Sequence, residues 1–385
     1  MKIQQLLKYF KHDIEVLHKN KASSPNNTVE IRLKRKEVIC KHCGTVMKPH
    51  GLGREKRSTA GEDFYLSYYP LRYICPKCKK TITINPPFIE PRARITEECK
   101  EEIIKALKYR VSINEVAKRF KVSHTTVSKL LKSYKSNLNW ENLGEELRLG
   151  IDEHSFRGYD TVVSIRELSS HTQLGFLYPD RKYNLKGFLR NLPVKDKVKE
   201  VSVDMKTSYI NSVREELPNA KIVLDHFHII HDANREISMA IETEAYISKM
   251  KLPRKIFFKN IENLKEDEKK KLIKTLREHP YLKPFYAVKE LIRKMYRSRD
   301  KEEARKTLEM TILYGRKVKD VDLDKWIDRL TKYKEYILNY FDNHTTNAQL
   351  EGSNLVVKLI KRISFGFRNP TNYIQRLNVA FSNSF

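Results

Sequence analysis

From residue 145 onward the chain alternates short apolar runs with amphipathic stretches, in an order that few folds accept. LRLGID, YDTVVSIREL and TQLGFLYPD read as three successive strands joined by short turns. NLKGFLRNL reads as a short helix, VKEVSVD as a fourth strand, and MKTSYINSVREELP as a second helix. AKIVLDHFH is a fifth strand, and HIIHDANREISMAI continues from it as a helix. The order βββαβαβα predicts a mixed sheet flanked by helices over residues 145–239.

That order describes an RNase H-like core within a multidomain α/β chain. Functional groups in open α/β sheets gather at the carboxyl ends of strands. Asp152 is expected to end the first strand, Asp204 the fourth and Asp225 the fifth. Residues 240–344 are rich in Lys, Glu, Leu and Ile and carry few strand signals. Segments such as AVKELIRKMYRS and DKWIDRLTKYKEYILNYF have helical periodicity, so an all-helical insertion is expected there, with its charge runs as solvated faces. The core is expected to resume over residues 345–385, where NAQLEGSNLVVKLIKR reads as a helix. Its spacing groups Glu351 with Asn347, Asn354, Lys358 and Lys361 or Arg362. Leu350, Val357 and Ile360 fall nearer the opposite, buried side.

Two strand-end aspartates and one helix-borne glutamate can converge on a pair of divalent cations. Phosphodiester chemistry needs an attacking oxygen made nucleophilic and a leaving oxygen neutralised, and two metal ions do both. Mg²⁺ or Mn²⁺ suits a few carboxylates, since Mg²⁺ prefers hard oxygen ligands and keeps several waters. Asp152 would bridge both ions, with Asp204 and Glu351 each completing one. In the DHFH segment, Asp225, His226 and His228 either support this site from behind the ligands, contact the scissile strand, or form a structural turn. Glu153 is set aside, because alternation turns it away if the strand continues.

The chain carries 76 Lys and Arg against 48 Asp and Glu, a net charge of +28. Such an excess attracts a phosphate backbone and makes binding salt-dependent; a basic ribosomal or membrane-surface protein would share it, but 385 residues are too many for most of the former. No apolar stretch is long enough to span a bilayer. MKIQQLLKYFKHDIEVLHKN is not a signal peptide, because Lys8, Lys11 and Asp13 interrupt any apolar region, and a cytoplasmic location is expected. Residues 1–30 are read as an N-terminal helix and a polar linker.

Four of the five cysteines form two C-x-x-C pairs, Cys40 with Cys43 and Cys75 with Cys78. Two such knuckles can wrap one tetrahedral Zn²⁺, which predicts a zinc-ribbon-like domain over residues 31–90. The interval of about thirty residues exceeds the common spacing, and an extended central hairpin would absorb the excess. VICKHCG and RYICPKCKK each place a hydrophobic strand before a knuckle. His42 and His50 are read as exposed rather than as substitute ligands, and Cys99 as an ordinary buried residue.

Residues 95–140 read as a helix-turn-helix DNA-binding domain. TEECKEEIIKALKYR places Ile103, Ile104 and Leu107 on one face. Ser112 with Glu115 forms a capping box for SINEVAKRF, and Ser123 caps HTTVSKLLKSYK. The turn between them, KVS, lacks the usual glycine. The last helix would enter the major groove, with His124, Thr125, Thr126, Ser128 and Lys129 facing bases or phosphates and Lys132 further along.

Taken in order, the C-x-x-C pairs, the helix-turn-helix, GIDEHSFR, VSVDMKTSY, VLDHFHII and LEGSNLVVKLIKRISFGFRN resemble the landmarks of the ISL-three family of DDE transposases. The resemblance covers roughly residues 35–375, and GFRN and DHFH are its most specific parts. It implies that Asp152, Asp204 and Glu351 are the catalytic triad. It also implies hydrolysis at the terminal inverted repeats of an insertion sequence, then joining of the freed 3′-hydroxyl to target DNA. The partners implied are double-stranded DNA, as transposon ends and target, and further copies of the chain in a homodimer or larger synaptic assembly. Lys358, Lys361, Arg362 and Arg368 are the expected backbone contacts near the site. The alternative is a sequence-specific DNA-binding regulator with a non-catalytic body.

Overall fold

The computed structural model describes residues 10–19, 27–62, 64–109, 111–135, 138–158, 160–364 and 366–382, without the side chains at positions 18, 19, 349 and 351. Two compact units divide the chain: residues 1–137 with 357–385, and residues 138–356.

The first unit begins with β1 (Ile14–Lys19), β2 (Asn27–Leu33), β3 (Lys48–Leu52), β4 (Lys56–Gly61), β5 (Phe64–Tyr68), β6 (Leu71–Ile74) and β7 (Thr81–Ile84). They form two small sheets, in the orders β1-β2-β5-β4 and β3-β6-β7. Of the helix and linker expected over residues 1–30, residues 1–9 and 20–26 lie outside the described residues, and the described parts differ from that expectation. Ile14–Lys19 and Asn27–Leu33 are paired strands. The reason is a period-two pattern: Val29, Ile31 and Leu33 face the core, and the polar stretch before them hid it. The interval between the cysteine pairs does contain a hairpin, β4–β5. Before the first knuckle, however, there is only an isolated bridge, Ile39 to Val46, since two apolar residues are too few for a strand.

Three helices follow: α1 (Glu97–Lys108), α2 (Ile113–Arg119) and α3 (His124–Ser133). Each starts at a hydroxyl cap. Thr96, Ser112 and Ser123 accept from the amides of Cys99, Glu115 and Thr126 at 3.2, 3.1 and 3.1 Å. Ile103, Leu107, Val116, Val127 and Leu131 share one buried cluster. In place of a turn glycine, Lys121 adopts φ +50°.

The second unit is built on β8 (Leu147–Arg157), β9 (Asp160–Glu167), β10 (Thr172–Leu177), α4 (Lys182–Arg190), β11 (Val198–Val203), α5 (Thr207–Glu216), β12 (Lys221–Leu224) and α6 (His226–Ser248). The sheet order is β10-β9-β8-β11-β12. β8, β9 and β10 are antiparallel neighbours, whereas β11 runs parallel to both β8 and β12. Asp204 directly follows β11, and Asp225 directly follows β12. Asp152 does not end its strand: β8 runs on to Arg157, and Asp152 pairs with Ser164. EHSFR keeps alternating, with His154 and Phe156 buried and Ser155 exposed, and no breaker arrives before Gly158. What does end near Asp152 is the parallel pairing with β11, whose last partners are Gly150 and Ser202.

Helices fill the rest: α7 (Arg254–Phe258), α8 (Glu266–Glu278), α9 (Leu282–Met295), α10 (Lys301–Val318), α11 (Val321–Lys332), α12 (Lys334–Leu338) and α13 (Tyr340–Asn343). This segment has no break at residue 240, because α6 runs straight through it. Nor does it have a core of its own. Phe257, Phe285, Trp326 and Ile337 join Leu224 and Ile229 in one buried cluster, each large side chain contributing about 2–3 kcal/mol of burial.

Two helices close the chain, α14 (Ala348–Ile363) and α15 (Pro370–Ala380). The start of α14 sits hard against β8. A Cβ at Gly150 would stand 2.7 Å from Asn347 Oδ1, Leu168 Cδ2 and Leu350 Cδ1. Gly150→Ala is therefore expected to destabilise the protein by about 3 kcal/mol. Thermal unfolding measures it, and an unchanged midpoint would contradict this close approach. The assignment of all residues 345–385 to the core also needs correction. Tyr373, Leu377 and Val379 of α15 are buried, Val379 in the same cluster as α1–α3, and α15 packs on α1 and α3. Arg376 donates to the carbonyls of Tyr109 and Val111 at 2.9 and 3.1 Å, which holds the helix there.

Candidate active site

Parallel pairing of β8 and β11 brings Asp152 and Asp204 together, and α6 turns back from β12 so that its first turn delivers His228. One ligand atom from each of the three lies within 4.8 Å of the others. His228 Nε2 is 2.7 Å from Asp204 Oδ1 and 4.0 Å from both Asp152 Oδ1 and Asp225 Oδ2. Asp152 is held on both oxygens. Oδ1 accepts from the Glu153 amide at 2.7 Å, and Oδ2 accepts from Asn354 Nδ2 at 2.8 Å.

The electrostatics follow from this crowding. Burial, then the charge of Asp204, push the Asp152 carboxyl up to about 6. Burial alone would lower His228, but the Asp204 contact and the charges of Asp225 and Asp152 raise it. The imidazole faces the carboxylates of Asp204, Asp152 and Asp225 together.

Asp225 and His226 sit differently. Asp225 is almost fully buried and accepts from Thr346 Oγ1 at 2.7 Å and the Asn347 amide at 3.3 Å. Burial opposes its ionisation, but bonds from His226 and Thr346 and the charges of His226 and His228 hold it below the usual range. His226 packs against Tyr296 and Tyr340, at 5.8 and 5.2 Å between ring centroids. Both residues anchor the segment that leads into α14. Asn347 adds a bond from Nδ2 to the Ile151 carbonyl at 3.1 Å, so it is buried under the site rather than on the exposed stripe of α14. Glu351 is a residue of α14, three positions before Asn354, and its side chain lies outside the described residues.

Sequence reasoning did not place His228 among the potential ligands, nor Asn354 on Asp152. The available signal was the spacing D-x-x-H, one helical turn starting at a strand end. Glu153 does turn to the other face. There Lys206 Nζ bonds Glu153 at 2.6 Å and also Asp180, while Tyr209 Oη reaches both carboxylates at 3.1 and 3.0 Å. This network ties the residue after Asp152 to a residue two after Asp204. Lys206→Met should leave two facing carboxylates and cost about 1–2 kcal/mol, discounted because Lys206 is partly exposed. Lys206→Arg should restore most of that in thermal unfolding. Equal melting of all three proteins would count against the network.

The four knuckle cysteines also converge. Cys40 and Cys78 Sγ are 3.6 Å apart, Cys43 and Cys75 Sγ 3.4 Å, and all four sulfurs lie within 4.8 Å of one another. A tetrahedral ZnS₄ centre has edges of about 3.8 Å, so the set fits zinc. The two knuckles are built alike. Gly44 and Lys79 donate back to the carbonyls of Cys40 and Cys75 at 2.9 and 3.0 Å, and both take positive φ. Hydrogen bonding with Thr45 lowers the Cys43 thiol to about 6, and backbone amides of His42 and Cys43 lower Cys40. His42 and His50 are exposed and outside the sulfur cluster. Cys99 is buried, its thiol pushed up to about 12 by burial, then by Glu102 and Glu98.

On α3, His124, Thr125, Lys129 and Lys132 are exposed. Thr126 is partly engaged, its hydroxyl 2.9 Å from Ser123 Oγ, and Ser128 Oγ lies 3.4 Å from His124 Nδ1. Lys358, Arg362 and Arg368 are exposed, and Lys361 is half-buried. Among the described residues, no helix is long and apolar enough to cross a membrane.

Comparison with known proteins adds three matches. A family model for the transposases of the ISL3 type matches residues 149–377. The model for the helix-turn-helix domain of transposase family ISL3 matches residues 84–134. The transposase for insertion sequence element IS1001 of Bordetella parapertussis is 22% identical over 379 residues, covering 93% of this chain and 92% of that protein.

Proposed function

Because the chain belongs to the ISL3 family of transposases, we propose that it binds the terminal inverted repeats of an insertion sequence, hydrolyses DNA at those ends and joins the 3′-hydroxyl to target DNA. The observation that carries this reading is the convergence of Asp152, Asp204 and His228 on one point, from a central strand, the end of its parallel neighbour and a helix start. The order β10-β9-β8-β11-β12, three strands antiparallel and two parallel, supports an RNase H-like core.

Asp152, Asp204 and Glu351 would hold two Mg²⁺ or Mn²⁺ ions, and the hard carboxylate oxygens present suit them. When bound, such ions activate the attacking oxygen and neutralise the leaving one. The chain's own residues prepare that site. Asn354 and the Glu153 amide orient both oxygens of Asp152, so its carboxylate is fixed in advance. His228 Nε2 stands 2.7 Å from Asp204 Oδ1, so the imidazole holds that carboxylate in place beside Asp152. Asp225, through Thr346 and Asn347, fixes the point from which α14 carries Glu351.

Cys40, Cys43, Cys75 and Cys78 would hold one structural Zn²⁺. The exposed face of α3 would enter the major groove, and exposed cations such as Lys358, Arg362 and Arg368 would contact backbone phosphates. Joining requires two ends held together, so a homodimer or larger synaptic assembly is part of the proposal.

The test uses purified protein, Mg²⁺ or Mn²⁺, and labelled duplex carrying the inverted repeats that flank its gene. Cleavage at the repeat end followed by a strand-joined product supports the reading. Specific binding with no cleavage under either metal would make the protein a regulator instead.

A further inference from the structure

The β4–β5 hairpin, which fills the interval between the two cysteine pairs, is fastened to the helical unit at several points. The Thr59 amide donates to the Arg94 carbonyl at 2.9 Å, and the Thr96 amide donates to the Thr59 carbonyl at 3.0 Å. β4 therefore pairs with the segment that enters α1, whose cap is Thr96 itself. Arg119, at the end of α2, reaches Glu62 beside the hairpin turn with two bonds, at 2.5 and 3.3 Å. The segment after the second cysteine pair adds two more ties to α1: the Glu97 amide donates to the Phe88 carbonyl at 3.1 Å, and Lys100 pairs with Glu90 at 2.6 Å.

Beside this joint lies a notch of about 500 Å³, lined among others by Arg57, Tyr65, Arg94, Lys121, Ser123 and Thr126. Its three cations come from three separate elements: β4, the approach to α1, and the turn before α3. All three are exposed. The Arg57 guanidinium lies over the Tyr65 ring at 4.0 Å, which fixes the plane of its donors. None of the described residues lining the notch is acidic. The neighbouring concavity, lined by Glu62, Glu102, Lys105 and Arg119, carries both signs and has no such bias.

Convergent guanidinium and ammonium groups with a nearby hydroxyl are a recognition set for a phosphate. The notch shares Ser123 and Thr126 with the start of α3, the helix that reads the groove. A phosphate bordering that groove is the anion this position would meet. We propose that the notch seats one backbone phosphate of the duplex read by α3, so that the hairpin between the cysteine pairs and the helix-turn-helix form one continuous DNA-binding surface. This rests on the reading that α3 enters the major groove.

The full-length protein is first used to select a preferred duplex from a random pool. Arg57→Gln with Arg94→Gln is expected to weaken binding to that duplex about tenfold at roughly 0.1 M salt, and to reduce the salt slope by about 0.9. Lys121→Gln should act in the same direction, and all variants should melt with the parent. The preferred base sequence should not change. A scan of the duplex with single neutral methylphosphonates should find one position that weakens the parent but not the double variant. Thr125→Ala and Lys129→Ala should alter sequence preference and leave that position sensitive. If the notch variants keep the parental slope and methylphosphonate profile while the α3 variants lose selectivity, the notch is wrong and the groove reading stands. If the parent selects no sequence, or the α3 variants change nothing, the groove reading falls and takes this proposal with it.

Discussion

Asp204→Asn is expected to lower strand cleavage by about a thousandfold or more while leaving DNA affinity within about twofold. Asparagine keeps the shape of the side chain and removes one charge, so the loss reports the charge. The carboxylate faces Asp152 and touches His228 at 2.7 Å, and it follows β11 directly, where little backbone freedom remains. Asp152→Asn should fall as far, since both its oxygens are already oriented for one task. Glu351→Gln completes the set. The α3 helix belongs to the other compact unit, so binding serves as the internal control. Parental rates of nicking and joining from any of the three variants would remove that residue from the catalytic set.

A double replacement of Cys40 and Cys75 by serine is expected to remove one equivalent of zinc and unfold the strand-rich module. Structural zinc contributes about 10–16 kcal/mol of apparent binding energy in small modules, far more than two little sheets can replace. One cysteine from each knuckle is changed, so neither C-x-x-C pair survives to hold the ion alone. Metal analysis gives the stoichiometry, and limited proteolysis between residues 27 and 84 gives the folding state. Because the β4–β5 hairpin is bonded to the approach to α1, sequence-specific DNA binding should fail as well. Full zinc content in the double variant would disprove four-sulfur coordination.

How much of this was legible in the sequence depended on whether the signal was local. The order of elements from residue 145 to 248 is local, since each strand and helix declares its own period, and the structure has that order. The placement of Asp204 after β11 and Asp225 after β12 follows from the same patterns. The cysteine knuckles are local too, with spacing and turn residues in one short window. Asp152 was misplaced because the end of a strand and the end of its pairing with one neighbour are different things. β8 loses β11 near Gly150 but keeps β9 to Arg157. The approach of His228 to Asp204 is not legible locally, because it depends on the parallel register of β11 and β12, a property of the sheet. β2 was hidden by the polar residues before it. The docking of α15 was unreadable because its amphipathic face does not say which of two cores it will cover.

That docking has a consequence for how the chain is made. The unit that carries α1–α3 is discontinuous, and its last helix, α15, is translated only after the entire second unit. A ribosome that stops before residue 370 releases a product in which α1 and α3 lack this cover, Arg376 included. Chains that end early are therefore expected to have a less stable α1–α3 unit than complete ones.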